Sequence, residues 1–189
     1  MVYYNDFETG QLQGIEVSRF YLSTDTAKIF NYNGSKVLGG FNNGRFTIFL
    51  NNLPEHNAIS VEFDLYIHGP WQGDHLSSFN IPDLWSIKID DRNILLTTFS
   101  NTNYPQAYPN YYLTGTEYPA RGDSWVDKMP GVCSTANQPD ATSWYKYITT
   151  VQHNQDSVTI ICNDALQPYN TGCIKSWSVD NVKVTAIKY

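Results

Sequence analysis

The sequence has few charged residues, and few of those are basic. Asp, Glu, Lys and Arg make up 16% of its 189 residues, only 12 residues are Lys or Arg, and the net charge is -6. Nucleic-acid binding requires clustered Lys and Arg, whereas the basic residues here are scattered along the chain. The composition therefore disfavours a nucleic-acid partner. A surplus of carboxylates suits a protein that binds cations or neutral polar ligands such as sugars.

Long apolar runs are also missing. None approaches the length of a membrane-spanning helix, so we expect no insertion into a membrane. The first residues, Met1-Val2-Tyr3-Tyr4, do not resemble a signal peptide. Either a processed leader preceded this numbering or the protein is intracellular. We expect the first, with an extracellular or cell-surface location.

Cysteine is scarce, and its number is odd. The sequence contains only Cys133, Cys162 and Cys173. Three cysteines allow at most one internal disulfide, and no CxxC or HxxxH spacing indicates a zinc site. Because Cys173 lies in a predicted loop, we expect one bridge that includes it. The sequence does not decide whether its partner is Cys133 or Cys162.

Helix-favouring residues are sparse, and no segment repeats apolar residues with helical spacing. Aromatic residues, in contrast, make up 15% of the chain, with 14 Tyr and 5 Trp. Aromatic side chains pack well on the pleated surface of a sheet, and this length fits one domain with its own core. We therefore predict a single all-β domain over residues 1–189, an antiparallel β-sandwich (jelly roll) with long irregular loops.

Alternating apolar and polar residues mark the strands. The alternation is clearest over 59–67, where Ile59 and every second residue after it are apolar. We expect that set to face the core and the set from Ser60 to His68 to face solvent. Further strands are predicted at 46–50, 84–89, 93–99, 144–151, 157–162 and 177–188.

The stretch 100–139 has a different character, because Pro, Asn, Tyr, Gly and Ser dominate it. Proline cannot serve a central strand, so this stretch is predicted to be a long loop or edge segment. Its many aromatics indicate that it is ordered. The tripeptide Arg121-Gly122-Asp123 would be displayed there, although Gly122 is more simply a turn residue.

Several motifs occur together in a familiar order: Asp6-Phe7-Glu8, Trp71-Gln72-Gly73-Asp74, Pro82-Asp83-Leu84-Trp85 and Trp177-Ser178-Val179-Asp180-Asn181-Val182. They resemble a jelly-roll module of secreted and surface proteins, similar to MAM and laminin-G/concanavalin-like carbohydrate-binding domains. The resemblance implies a binding, adhesive or structural role, often with a structural calcium ion.

The terminal strands suggest where such an ion would bind. We expect Asp6-Phe7-Glu8 to lie beside 178–182, which would bring Asp6 and Glu8 near Asp180 and Asn181. Calcium binds six to eight oxygen ligands, which carboxylates and amides supply. We therefore predict a structural Ca²⁺ site at these four residues. The alternative is that Asp6 and Asp180 cap turns or pair with Lys183 and Arg19.

Carbohydrate sites stack a sugar face on an exposed aromatic ring and bind its hydroxyls with polar side chains. Loop residues of both kinds are predicted ligands: Trp71, Asp74, Asn101, Gln106, Tyr108, Tyr111 and Trp125. Trp85 and Trp177 lie within strand patterns and are expected in the core. For each loop aromatic, core packing or loop anchoring is the competing interpretation.

Catalysis is not expected. Glu62 and Asp64 share one face of a predicted strand and lie about 7 Å apart. The two carboxylates of a glycosidase would be placed in a similar way. Two polar residues on an exposed strand face are the simpler explanation. No serine-nucleophile or Cys-His signature occurs.

The favoured hypothesis is a calcium-stabilised module that binds a glycan or a surface protein. A self-associating subunit of an extracellular filament or appendage is the second hypothesis, and a weak glycoside hydrolase the third.

Overall fold

The computed structural model describes residues 1–19, 27–77, 80–166 and 173–189. Within these ranges the chain is built from strands and two short 3-10 helices. In chain order they are β1 Tyr3–Asn5, β2 Ile15–Arg19, β3 Lys28–Tyr32, β4 Ser35–Phe41, β5 Gly44–Leu50, β6 Ala58–His68, β7 Leu84–Ile89, β8 Arg92–Thr98, η1 Tyr112–Thr114, β9 Val126–Met129, η2 Cys133–Thr135, β10 Thr142–Gln152, β11 Val158–Ala165 and β12 Ser176–Ile187.

The strands form two sheets. The first has the order β3-β4-β12-β6-β10-β9, with β1 also paired to β12, and the second has the order β2-β5-β11-β7-β8. Every strand pair in the described ranges is antiparallel. The predicted antiparallel all-β sandwich is therefore confirmed. No helix in the part of the chain that the structure describes is long and apolar enough to cross a membrane.

The core lies between the two sheets and is rich in aromatic rings. Phe41 and Trp177 stack with centroids 4.3 Å apart, and Trp177 meets Trp85 edge-on at 6.0 Å. Both tryptophans are fully buried, as the sequence predicted. Aromatic side chains bury large areas and pack offset or edge-to-face, so the contact between Trp177 of β12 and Trp85 of β7 ties the first sheet to the second.

The outer face of β6 is covered, which corrects the expectation that it faces solvent. Asp64, Tyr66 and His68 are all buried. The segment around η2 folds over this end of the first sheet, where the Tyr32 hydroxyl donates to the Pro130 carbonyl oxygen at 2.6 Å. Tyr66 thus packs with Tyr32, Met129 and Val132, whereas Asp64 is buried by the side chains of Trp144 and Asn181 of the same sheet.

His68 lies on the same face of β6, and its buried polar atoms have hydrogen-bond partners. Its two ring nitrogens lie 2.9 Å from the Thr142 and Ser178 hydroxyl oxygens, and burial lowers the pKa of His68 to about 3. The ring is therefore neutral, and its polar atoms are paired with hydroxyls inside the protein.

The chain start lies beside the last strand, but not through the predicted residues. Tyr3 is paired with Val184 and Asn5 with Val182, so β1 ends before Asp6. Asp6-Phe7-Glu8 forms a turn, in which Phe7 has a positive φ of 57° and is fully buried in the core. The Asn5 side chain supports this turn by accepting the Phe7 N–H at 2.9 Å.

One disulfide joins Cys133 of η2 to Cys173, just before β12. It contains Cys173, as expected, and attaches the covering segment to the first sheet. Cys162 is free and buried, and its burial raises the pKa of the thiol.

Candidate functional site

Most of the predicted ligand residues serve the interior. Gln106 is fully buried. Its side-chain oxygen accepts the N–H groups of Ser100 at 3.0 Å and Arg121 at 3.1 Å, and its amide donates to the Gly122 carbonyl at 3.0 Å. Gln106 therefore holds the long loop in shape from a buried position, which does not fit its predicted role as a ligand residue.

The aromatic candidates Trp71 and Tyr108 belong to the core. Trp71 is fully buried and donates its indole N–H to the Ser176 carbonyl at 3.0 Å. Tyr108 is 9% exposed and packs on Phe99 with centroids 4.8 Å apart. Neither ring has a free face on which a sugar could stack, so the competing interpretation of core packing holds for both.

Three further candidates lie nearer the surface. The Asn101 amide donates to the carbonyls of Ile67 at 2.8 Å and Gly69 at 2.9 Å. The Asp74 carboxylate accepts the Thr98 hydroxyl, and burial raises the pKa of Asp74. Asn101 and Asp74 thus have partners within the protein. Tyr111 is half-buried and immediately precedes η1.

Arg121-Gly122-Asp123 is also part of the internal framework. The Arg121 guanidinium donates to the carbonyls of Asn101 at 2.9 Å and Asp140 at 2.7 Å, and to that of Asp127. A side chain engaged in this way is not displayed for a receptor, so the tripeptide is better understood as a clamp on the long loop.

Trp125 is the predicted ligand residue that remains open to solvent. It is 65% exposed and immediately precedes β9, held by a 2.7 Å hydrogen bond from its N–H to the Trp144 carbonyl. The Lys146 ammonium lies 5.4 Å from the Trp125 ring centroid and 5.0 Å from that of Trp144. An exposed indole fixed to a strand end is an unusual surface feature, because Trp is normally largely buried.

A line of hydrogen-bonded polar side chains runs from this indole across the first sheet. Asp64 accepts the Trp144 indole N–H at 2.9 Å and lies 3.5 Å from Lys146. The Asn181 amide donates to the other Asp64 oxygen at 2.8 Å and accepts the Tyr4 hydroxyl at 2.9 Å. Lys146, Asp64, Asn181 and Tyr4 are called the polar row below.

The polar row spans the sheet from β10 through β6 and β12 to β1. Three strand spacings make this about 14 Å. Tyr4, at the far end, is 42% exposed. The row is therefore an extended strip with an exposed indole at one end and an exposed phenol at the other.

Two of the four predicted calcium ligands come together beside this row. The Ser35 hydroxyl oxygen lies 2.7 Å from a Glu8 oxygen and 3.0 Å from an Asp180 oxygen. A hydroxyl has one hydrogen, so it can donate to only one of them at a time. Burial, together with the charges of Asp64 and Glu8, raises the pKa of Asp180 to about 6.

The other two predicted ligands point elsewhere. The Asp6 carboxylate accepts the Glu8 N–H at 3.2 Å, and the Asn181 side chain is bonded to Asp64 and Tyr4. Over the described ranges, no three or more His, Cys, Asp or Glu side chains are arranged to hold a metal ion. The structure thus brings Glu8 and Asp180 together without gathering all four residues around one point.

A groove next to the disulfide had no signal in the sequence. It has a volume of about 600 Å³ and lies between β3–β4 and the segment that precedes and contains η2. The described residues that line it are Lys28, Phe30, Asn31, Tyr32, Asn33, Gly39, Gly40, Pro130, Gly131, Val132, Cys133, Ala136, Cys173 and Ser176. They come from three separate parts of the chain, which is why no local motif marks the groove.

Comparison of the sequence with protein-family models and with curated proteins finds no match. Among solved structures, the xylan-binding CBM22-2 domain of Paenibacillus barcinonensis Xyn10C matches 98% of this chain and 99% of its own length, at 11% identity and a TM-score of 0.49. A family 35 carbohydrate-binding module from Clostridium thermocellum matches 98% of this chain and 100% of its own length, at 11% identity and a TM-score of 0.44.

A larger protein, the GH115 4-O-methyl-alpha-glucuronidase BtGH115A, matches 95% of this chain at 11% identity and a TM-score of 0.43. The chain spans only 18% of that enzyme's length. Likeness at this level carries no information about ligands.

Proposed function

We propose that this chain is a non-catalytic module that binds a glycan on the outer face of its first sheet. The observation that carries the proposal is Trp125, which is 65% exposed at one end of the polar row. A pyranose ring has an apolar face and a rim of hydroxyls. The indole offers a flat apolar surface for that face.

The polar row offers partners for the hydroxyls. It contains an ammonium donor, a carboxylate acceptor, an amide that does both and a phenol. Hydrogen bonds among Asp64, Asn181 and Tyr4 already hold these groups in place. Because less side-chain freedom is lost on binding, a preorganised surface of this kind favours affinity.

The same contacts argue against glycoside hydrolysis at Glu62 and Asp64. A glycosidase places two carboxyl groups on either side of the scissile bond. Glu62 is paired with Lys183 at 3.2 Å, and the Asp64 side chain is 10% exposed, with contacts to Trp144, Lys146 and Asn181. Asp64 therefore serves better as a fixed acceptor beneath a bound sugar than as a catalytic acid.

A glycan array followed by calorimetry tests the proposal. Trp125→Ala should weaken binding of the selected glycan about 30-fold, the cost of removing a central tryptophan from an interface. Phe49→Ala is the matched control, because Phe49 is an aromatic residue of the second sheet that is 58% exposed. A silent array, or equal affinity in Trp125→Ala and wild type, would contradict the proposal.

We also propose that a calcium ion binds at Glu8 and Asp180 and stabilises the junction of β1, β4 and β12. Two carboxylates share one hydroxyl hydrogen here, and the Lys36 ammonium beside Glu8 offsets only one of their charges. A hard cation would neutralise the remaining negative charge. Added calcium should raise the melting temperature of the wild type but not of Asp180→Asn, with Glu62→Gln as the control. An unchanged melting temperature in wild type with calcium or a chelator would refute this part.

A structural role is the second candidate, and Ile148 favours it. Ile148 is 65% exposed on β10, two residues beyond Lys146. Exposed apolar residues such as Ile148 and Trp125 also suit a protein interface, including one between copies of this chain. Concentration-dependent association on a sizing column that Ile148→Ser abolishes, together with a silent array, would favour a self-associating subunit over a glycan-binding module.

A further inference from the structure

The groove beside the disulfide lies on the same sheet face as the polar row but is lined by different residues. We propose that it binds a small aromatic carboxylate, independently of any glycan at Trp125. Its volume of about 600 Å³ falls in the range typical of small-molecule sites.

The walls of the groove are apolar and fixed. Phe30 and Tyr32 of β3 line one side, and Pro130 and Val132 line the other. The Tyr32 hydroxyl donates to the Pro130 carbonyl at 2.6 Å, which ties the two walls together. Pre-formed apolar walls with few polar groups favour a flat hydrophobic ring.

A buried hydroxyl lies among the lining residues. Ser176 is fully buried, and its hydroxyl oxygen has no hydrogen-bond partner in the described part of the chain. A buried polar group without a partner destabilises the protein that contains it. A ligand that accepts a hydrogen bond from Ser176 would remove that cost, and a carboxylate oxygen is a strong acceptor.

The charge of the groove selects an anion. Lys28 is the only charged residue among the described residues that line it, and no ion-pair partner for Lys28 occurs among the residues that the structure describes. An acid would gain from this ammonium, whereas an amine would be repelled.

The floor between these two groups is open at Gly40, where no described atom lies within 4 Å of the position of a Cβ, whereas at Gly39 the Ser178 side chain fills that position. Lys28 is paired across the strands with Gly39, and Gly39 with Ser178 of β12, two residues after Ser176. Two strand spacings separate Lys28 from Ser178 by about 10 Å, and Ser176 lies about 7 Å farther along β12. The backbones of Lys28 and Ser176 are therefore about 12 Å apart, which a lysine side chain and a carboxylate can bridge together. In this arrangement the carboxylate lies between Lys28 and Ser176, beside Gly40, and the ring lies against Phe30 and Val132.

Binding of 3-phenylpropionate, followed by NMR chemical shifts of the backbone amides, tests this. The neutral analogue 3-phenyl-1-propanol has the same ring and chain without the charge. Wild type should bind the acid saturably and more tightly than the alcohol. Lys28→Gln should weaken the acid about two- to fivefold, as expected for a partly exposed ion pair, and should leave the alcohol unchanged.

Ser176→Ala gives a second readout. It should weaken the acid about fivefold or more through the lost hydrogen bond, while raising the melting temperature of the ligand-free protein because an unpartnered buried hydroxyl is removed. Trp125→Ala should leave both results unchanged, so the outcome is separate from that of the glycan proposal.

The proposal would be overturned by the absence of saturable shifts at the groove in the low-millimolar range. Equal binding of acid and alcohol would also overturn it, because the charge of Lys28 would then play no part. Unchanged affinity and melting temperature in Ser176→Ala would show that water satisfies the hydroxyl and that no ligand group is needed there.

Discussion

The ion pair between Lys175 and Asp83 joins the two sheets through the interior. The Lys175 ammonium lies 2.9 and 2.7 Å from the two Asp83 carboxylate oxygens, and both side chains are 3% exposed. Asp83 also accepts the Gln72 N–H at 2.7 Å. Asp83 precedes β7 of the second sheet and Lys175 precedes β12 of the first, so the pair connects segments that enter different sheets.

Removing one partner would leave the other charge buried and uncompensated. Asp83→Asn keeps the shape of the side chain and removes its charge, and the cost expected for such a change is about 3 to 5 kcal/mol. For a domain of this size that corresponds to a fall in melting temperature of about 10 °C. Lys175→Met should cost a similar amount.

Urea unfolding followed by tryptophan fluorescence measures these changes. The matched control is Glu55→Gln, because Glu55 also pairs at 2.7 Å with Lys188, but with side chains 82% and 59% exposed. The control should cost less than about 1 kcal/mol, since water screens a surface ion pair. In the double variant Asp83→Asn/Lys175→Met the cost should fall well below the sum of the two single costs.

Two results would refute this reasoning. Equal costs for Asp83→Asn and Glu55→Gln would mean that burial adds nothing to the effect of losing the pair. Strictly additive costs in the double variant would mean that Asp83 and Lys175 do not depend on each other.

Three further predictions concern the first sheet. Because burial lowers the pKa of His68 to about 3, the unfolded chain binds more protons between pH 6.5 and 3. Wild type should therefore lose up to about 1.4 kcal/mol of stability per pH unit relative to His68→Gln as the pH falls through that window; parallel curves in urea unfolding would contradict this. Gly39→Ala would place a Cβ 1.8 Å from the Ser178 hydroxyl oxygen and 2.3 Å from its Cβ. It should lower stability by about 1 to 3 kcal/mol, and Ser178→Ala should fail to rescue it in the same assay, because the Cβ clash remains. The disulfide Cys133–Cys173 closes a loop of 40 residues, and its reduction should lower the free energy of unfolding by about 4 kcal/mol in the loop-entropy model. The shift in urea midpoint with and without a thiol reductant measures this loss. An unchanged midpoint would mean that the bridge does not stabilise the fold.

The strand pattern was readable because alternation is a local property. The prediction for 59–67 matches β6, which runs from Ala58 to His68, and the hairpin predicted at 84–89 and 93–99 matches β7 and β8. Trp85 and Trp177 were placed in the core for the same reason, since each lies on the apolar side of its strand. Alternation could not reveal that the polar side of β6 would also be covered.

The ligand residues were harder to predict, because exposure depends on neighbours that are distant in sequence. Trp71 and Trp125 both lie in loop-like sequence, yet Trp71 is fully buried and Trp125 is 65% exposed. Asn101 and Gln106 have the residue types of a sugar site, but they bind backbone groups of the loop itself. Residue type identified groups capable of hydrogen bonding and left open what they bind.

The amino-acid sequence by itself determined the antiparallel all-β architecture, because period-two alternation and turn residues act over a few neighbouring positions. Only the tertiary structure decided where the surface lies. Tyr32 and the neighbouring strands buried His68, and the segment around η2 formed the groove beside Cys133–Cys173. The pairing of β10, β6, β12 and β1 aligned Lys146, Asp64, Asn181 and Tyr4 into one row. Contacts between residues far apart along the chain form such surfaces, and no local pattern encodes them.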